Sequence, residues 1–304
     1  KIINIVYVSG SKYQHYTYTS LISILENSKP EERNEPIRFT IIYEEMGPKG
    51  ELLFKGILDN DMTRLTNVLF LLFNRDIYKY DIEYIPIPDR ERERISKFKS
   101  YKWPKSIFLK LFFSNFLSYD KCIYLDGDTA CVNDIRRLWN INLGEYCFGG
   151  CIYQWFNKIL AVNAGSLLYD LKKMRGVGFS DKIGEILRQK QKNSTNFVET
   201  LEEGALYAYS KKYGHCVIDQ EFNTILNVTP RDIKTKHPTI IHYSGVSKPD
   251  ANRVQQYEAA GCPSFEDTKN NFWETTWKHN PWSFWIWYEH YKKYREIENL
   301  ANLD

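Results

Sequence analysis

Apolar and polar positions in the first half of the chain alternate as short runs rather than one long pattern. Runs rich in β-branched and aromatic residues at Ile2 to Val8, Ile37 to Tyr43, Asp81 to Pro86, Lys121 to Leu125 and Tyr146 to Ile152 predict strands. Stretches of helix length separate several of them, and that alternation predicts an α/β layered fold. After the first strand, small polar residues precede Tyr18, Leu21, Ile22 and Leu25 at helical spacing, so a strand, a loop and a helix open the chain. The densely mixed charges of "PDRERERISKFKS", Pro88 to Ser100, predict a solvated helix face or surface loop. No internal repeat or low-complexity linker interrupts the pattern. Tryptophans and tyrosines accumulate after about Gly261, which divides the chain into a body, 1–260, and an aromatic, basic C-terminal segment, 261–304.

Composition narrows the class. With 304 residues and 43% hydrophobic content, the chain can bury a core of one large or two modest domains. A formal net charge of +3 is too small a bias to point to nucleic acid, and it does not oppose a phosphorylated substrate. The six cysteines form no CxxC pair and no dense framework, so reduced thiols of a cytoplasmic protein are expected. The strongest apolar run, Val68 to Phe73, falls far short of the roughly 20 residues of a spanning helix. The chain begins with Lys1 rather than Met, leaving an upstream signal or anchor open. Two sequons, at Asn193 and Asn227, matter only in a secretory compartment.

The stretch "CIYLDGDTACV", Cys122 to Val132, runs an apolar strand into two aspartates separated by a glycine. Asp and Gly are ordinary turn residues, so a turn around Gly127 is one reading. The other uses strand geometry: residues two apart share a face, which aims the carboxylates of Asp126 and Asp128 at one point. Gathered like charges are costly without a cation, and a hard divalent ion that shares its shell with substrate phosphates relieves the repulsion. An aspartate-nucleophile phosphatase pattern fits worse, because Thr129 directly follows the second aspartate. In open α/β sheets ligands sit beyond the carboxyl ends of the strands, an edge shared by Val8 to Ser11 and Asp126 to Asp128. No GxGxxG follows the first strand, which removes the best support for a dinucleotide cofactor.

A second β-rich run, "IIHYSGVSKPD", Ile240 to Asp250, carries His242, Gly245 and Lys248 three residues apart. Imidazole is a nitrogen ligand that tilts a metal site toward Mn²⁺ over Mg²⁺. Glycine permits close backbone approach, and lysine offers a point charge to phosphate oxygens. Each also has a plainer reading, as a core histidine, a turn glycine and a surface lysine.

Together these runs resemble glycosyltransferase family 8, which includes glycogenin and bacterial lipopolysaccharide galactosyl- and glucosyltransferases. "YLDGDT" is similar to the family's DxD segment, "VNAGSLLYDLKKMR" to its asparagine-alanine-glycine segment, "DQEFNTIL" to its aspartate-glutamine segment and "HYSGVSKPD" to its HxxGxxKP segment. The resemblance runs from the first strand to about Pro249. It implies a GT-A-type nucleotide-diphospho-sugar transferase fold, α/β with a Rossmann-like mixed central sheet flanked by helices. It further implies Asp126, Asp128 and His242 as ligands of Mn²⁺, with Mg²⁺ in its place as the variant. Gly127 lies within the motif, and Gly245 and Lys248 match contacts to the donor diphosphate. Lys110 of "FLKLFF" stands where relatives place a basic residue near the donor. Val8, Ser9 and Tyr13 lie where the opening loop holds uridine. Asn163, Ala164, Asp219 and Gln220 match residues around the donor sugar. Asp250 and Glu221 depart from the family pattern, KPW after the lysine and aspartate after the glutamine, which bears on acceptor contacts more than on metal binding.

The activity so implied is retaining transfer of a hexose, glucose or galactose, from a UDP-sugar to a glycan or glycolipid acceptor. Catalysis then rests on Gln220, Asp219 and Lys248. Gln220 is an amide and a poor nucleophile, which favours front-face attack over a covalent intermediate. A catalytically silent nucleotide-sugar or glycan-binding protein on the same fold is the alternative. The tail from Trp277 to Leu300 interleaves aromatics with Lys292, Lys293 and Arg295. That composition suits either peripheral contact with the inner face of a membrane or a helix packed on its own domain.

Overall fold

The computed structural model describes residues 1–10, 13–28, 35–43, 62–154, 159–225, 238–245, 248–262 and 281–302. The elements in order are β1 (Ile3–Ser9), α1 (Gln14–Asn27), β2 (Ile37–Tyr43), α2 (Met62–Leu72), α3 (Arg75–Tyr78), β3 (Tyr80–Pro86), α4 (Asp89–Ser96), β4 (Lys121–Leu125), β5 (Thr129–Cys131) and α5 (Arg136–Trp139). There follow β6 (Phe148–Gln154), β7 (Leu160–Asp170), α6 (Leu171–Val177), α7 (Phe179–Asn193), α8 (Glu202–Tyr213), β8 (Cys216–Val217), β9 (Thr224–Ile225), β10 (Ile240–His242), α9 (Ala251–Ala259) and α10 (Pro281–Asn302). Ser11, the Asn227 sequon and residues 277–280 of the aromatic tail lie outside the described residues.

Among the described residues a seven-stranded mixed sheet, in the order β3-β2-β1-β4-β7-β6-β8, forms the centre. The first four strands of that order are parallel; β1, β2 and β4 are buried along almost their whole length, as an apolar run such as INIVYVS requires, while the edge strand β3 leaves Asp81 and Glu83 exposed. A smaller sheet, β5-β10-β9, stands beside it. The five predicted strands are present with ends moved by at most two residues, while β5, β7, β8 and β9 were not anticipated.

The register fixes where the chemistry falls. β1 and β4 run parallel, so Ser9 and Asp126 leave the sheet at the same edge. β7 runs antiparallel to β4 with Ser166 opposite Leu125, and Asp126 N–H donates to the Gly165 carbonyl at 2.9 Å. β10 pairs with β5 so that His242 stands opposite Thr129, and Tyr243 N–H donates to the Asp128 carbonyl at 2.9 Å.

Helix α1 is buried on nearly all sides: Thr17, Thr19, Ser20 and Ser23 are enclosed along with the expected Tyr18, Leu21, Ile22 and Leu25. Its hydroxyls are satisfied within the fold. Ser20 bonds Tyr7 and Thr129, and Ser23 accepts from Cys131 N–H at 2.8 Å. The outer cover is α10, whose Tyr294 and Ile297 join the core that holds Tyr18, while Trp287 packs with Tyr16, Ile241 and Tyr243. The described part of the C-terminal segment is therefore packed on the body. Lys292 and Arg295 pair with Glu289 and Glu298 of the same helix, whereas Lys293 reaches across to Glu26 of α1.

The charged run at Pro88 to Ser100 is a helix, α4, but not a wholly solvated one. Glu91 and Ile95 are buried, and Glu91 is held by Arg94 at 3.1 Å and Asn115 at 3.1 Å. All six cysteines are free. No helix among the described residues is long and apolar enough to cross a membrane.

Candidate metal and donor site

Asp126, Asp128 and His242 converge beyond the carboxyl end of β4, each with one ligand atom within 4.8 Å of the others. The two ladders described above deliver them: Asp126 follows the last residue of β4, Asp128 precedes β5 across the turn at Gly127, and β10 brings the imidazole alongside through its pairing with β5. His242 Nε2 lies 3.8 Å from Asp126 Oδ2 and 3.5 Å from Asp128 Oδ1. Two carboxylates and an imidazole nitrogen form a mixed oxygen and nitrogen donor set that fits a divalent ion such as Mn²⁺. Gly127 is required sterically, since a Cβ there would lie 2.8 Å from Thr17 Oγ1. Gly165 is required still more strongly, because its Cβ would fall 2.1 Å from His242 Cε1.

Two lysines neutralise the carboxylates. Lys110, 4% exposed, donates to Asp126 Oδ1 at 3.0 Å and to the Ala164 carbonyl at 3.4 Å, and Tyr124 hydroxyl donates to the same Asp126 oxygen. Burial would lower the Lys110 ammonium, but Asp126 and Glu202 hold it above its ordinary value. Lys248 Nζ lies 2.8 Å from Asp128 Oδ2 and 3.3 Å from Tyr13 hydroxyl, and is 4.7 Å from the centre of the Tyr13 ring. Burial opposes ionisation of Asp128, yet His242 and then Lys248 hold its carboxyl well below the usual range. Tyr16 hydroxyl bonds the Pro249 carbonyl and so ties α1 to the segment that carries Lys248.

The remaining sequence candidates divide. Ser9 accepts from Thr17 Oγ1 at 3.0 Å at the opening edge, next to Val8, and Tyr13 stands over Lys248. Gly245 has φ +63°, a left-handed conformation that favours glycine. Asp219 is exposed and caps the turn Gln220–Phe222 through Glu221 N–H at 2.8 Å. Gln220 Nε2 reaches the Ile152 carbonyl at 3.4 Å, and its Oε1 is buried without a partner among the described residues. Neither side chain bonds the carboxylate cluster. Asn163 is 1% exposed and fully engaged by Gly165, Asn223 and Glu203.

Sequence reasoning missed Tyr124, Glu202, Glu203 and Asn223. Burial raises Glu202, whose carboxylate lies 3.8 Å from Lys110, and burial followed by Glu202 pushes Glu203 up to about 8. Tyr124 carried a signal, being two residues before Asp126 on the same strand, and Asn223 lay inside the quoted "DQEFNTIL". The two glutamates carried none, since acidic residues are ordinary in the first turn of a helix.

Comparison with known proteins agrees with this geometry. The sequence profile described as Glycosyl transferase family 8 matches residues 4–251. Probable galacturonosyltransferase-like 4 of Arabidopsis thaliana is 25% identical over 160 residues, 44% of this chain and 44% of that protein. Glycosyltransferase GlyA of Streptococcus pneumoniae serotype 4 is 26% identical over 186 residues, 58% of this chain and 25% of that protein. The matches thus span less than half the length of these curated relatives. Among solved structures, the apo form of glycosyltransferase GlyE from Streptococcus pneumoniae TIGR4 has a TM-score of 0.61 at 15% identity, covering 98% of this chain and 62% of that one. Galactosyltransferase LgtC in complex with donor and acceptor sugar analogs has a TM-score of 0.60 at 18% identity, covering 86% and 96%. At these identities the likeness speaks to the fold, which is the GT-A fold. With the family profile running from β1 to the start of α9, this chain belongs to glycosyltransferase family 8.

Proposed function

We propose that the chain is a retaining hexosyltransferase that moves glucose or galactose from a UDP-sugar to a hydroxyl of a glycan or glycolipid acceptor. The observation that carries this reading is the convergence of Asp126, Asp128 and His242 with Lys248 at their side. These three would hold Mn²⁺, or Mg²⁺ in its place, which when bound supplies charge stabilisation to the departing diphosphate.

The protein's own groups do the rest. Lys248, freed from Asp128, supplies a preformed positive charge to the leaving phosphate, and Gly245 lets backbone approach it. Lys110 is too enclosed to follow the donor, so its work is to hold Asp126 in place. Val8, Ser9 and Tyr13 face the uridine end of the same edge. Asn163 and Ala164 shape the sugar side through backbone, because the Asn163 side chain is already engaged.

Asp219 and Gln220 orient the sugar from the turn after β8. Gln220 is a poor nucleophile as an amide, which favours front-face attack over a covalent intermediate. The acceptor hydroxyl therefore attacks from the face that UDP leaves: its oxygen bonds the anomeric carbon, the bond to the diphosphate oxygen breaks, and the proton passes to a phosphate oxygen. A sugar trapped covalently on Gln220 or Asp219 overturns that route.

UDP release from a panel of UDP-sugars, with and without Mn²⁺, tests the whole reading. Metal-dependent release from one sugar that drops at least a hundredfold in Asp128→Asn is the expected outcome. Mn²⁺-dependent UDP binding without turnover, even with glycan acceptors supplied, would favour the binding-protein alternative. We propose membrane contact only through the outer side of α10, and vesicle cosedimentation that is unchanged by deleting 277–304 removes it.

A further inference from the structure

Behind His242 lies a chain of hydrogen bonds whose direction is set by backbone donors. Gly165 N–H points at Asn163 Oδ1 at 3.0 Å, which identifies that end of the amide as oxygen. The other end, Nδ2, meets Glu203 Oε1 at 2.6 Å, and that oxygen also receives Ala164 N–H at 3.4 Å, so it acts as an acceptor. Asn163 Oδ1 accepts a second bond from Asn223 Nδ2 at 2.7 Å. Asn223 must then present its oxygen to His242 Nδ1, 3.1 Å away. Turning Asn163 over sets N–H against the Gly165 N–H and oxygen against Glu203, and turning Asn223 over sets its oxygen against Asn163 Oδ1. Such a mismatch is costly here, because Asn163, Asn223 and His242 are all buried.

An oxygen facing Nδ1 requires a proton on Nδ1. The second nitrogen, Nε2, is the one turned toward Asp126 and Asp128. The ring plane is set as well, because the absent side chain of Gly165 leaves the space the imidazole fills.

We propose that Glu203, Asn163 and Asn223 are positioning residues that form a one-way relay, keeping a proton on His242 Nδ1 and so leaving Nε2 as the nitrogen for a divalent cation. The proposal rests on the reading of Asp126, Asp128 and His242 as a cation site. The partner on the far nitrogen of a ligand histidine sets its tautomer and orientation, and loss of such a partner typically costs about 10–100-fold in metal affinity.

The test uses the full chain with nitrogen-15 in histidine, His242 being assigned by its loss in His242→Gln. Wild type is expected to show a slowly exchanging His242 Nδ1–H, with and without Mg²⁺. Asn223→Leu and Glu203→Leu should lose that protected proton, and Mn²⁺ affinity read by electron paramagnetic resonance should fall about 10–100-fold. Glu203→Gln, which keeps an acceptor for Asn163, should restore the signal and most of the affinity. An unprotonated Nδ1 in wild type overturns the relay, as does an unchanged signal or affinity in both leucine variants. Because the Nδ1–H signal is read without metal, a wild type that shows it yet binds no Mn²⁺ supports the relay and rejects the cation-site reading. Mn²⁺ binding without the proton does the reverse.

Discussion

Gly165 and Glu203 decide more at the residue scale than their types suggest. Gly165→Ala drives a methyl group into the His242 ring, so the imidazole must leave its position or the strand must shift. Mn²⁺ affinity should fall by on the order of tenfold or more while the far-ultraviolet circular dichroism stays unchanged. Glu203 keeps its proton to about pH 8 when folded, against an ordinary value of 4.5. Between those values the folded chain binds more protons than the unfolded one, so this group lowers stability as pH rises from about 4.5 to about 8. Glu203→Gln should therefore be the more stable protein at pH 8, by a few kcal/mol at most given its partial burial, and the gain should vanish below about pH 4.5. Urea melts of both proteins across that range check the sign. The grouping of Asp126, Asp128, His242 and Lys248 follows spacing and motif order, since a cation and diphosphate site would need those residue types. Glu203 was not legible in that way, since only folding brings it to Asn163, forty positions away in sequence.

The two kinds of strand differ in how they announce themselves at the element scale. β1, β2 and β4 are apolar runs because both of their faces are covered, and burial wrote them into the pattern, whereas the edge strand β3 alternates exposed Asp81 and Glu83 with half-buried Ile82 and Tyr84. β7 is longer, yet its middle reads Asn163-Ala164-Gly165-Ser166, which resembles a turn before an apolar run. Those residues sit where the β6 ladder shifts register, its partners passing from Leu167 to Val162, while on the other side β4 pairs with Ser166 and Asp126 N–H holds the Gly165 carbonyl; their polarity serves the relay and the space for His242. β5, β8 and β9, at two or three residues each, are too short for any periodicity to register. Helix α10 shows the same limit from another side. Its aromatic composition suited a membrane surface or a packed helix equally well, and pairing with α1 consumes Trp287, Tyr294 and Ile297. Trp287→Ala should cost about 3–5 kcal/mol in denaturant unfolding, a loss that a surface-seeking tryptophan would not produce.

The site at the scale of the whole molecule belongs to neither sheet alone. The large sheet supplies Asp126 just past β4, and the small sheet supplies Asp128 just ahead of β5 and the imidazole through β10. A ligand that binds only when both are assembled stabilises the entire fold. Mn²⁺ with UDP at a hundredfold excess over their dissociation constant should add about 2.7 kcal/mol to unfolding stability. Thermal melts with each alone and together read this directly, and Asp126→Asn should abolish the metal's share.

The ion pair of Lys248 with Asp128 makes the lysine a resident counterion, already occupying part of the charge that an incoming cation must claim. Metal entry is thus an exchange rather than a simple addition, and it leaves a displaced ammonium seeking an anion. On the proposed function a diphosphate would provide that anion, so that metal and nucleotide would reinforce each other's binding through a single side chain. The two affinities are linked in the thermodynamic sense: whatever factor UDP adds to metal binding, metal adds to UDP.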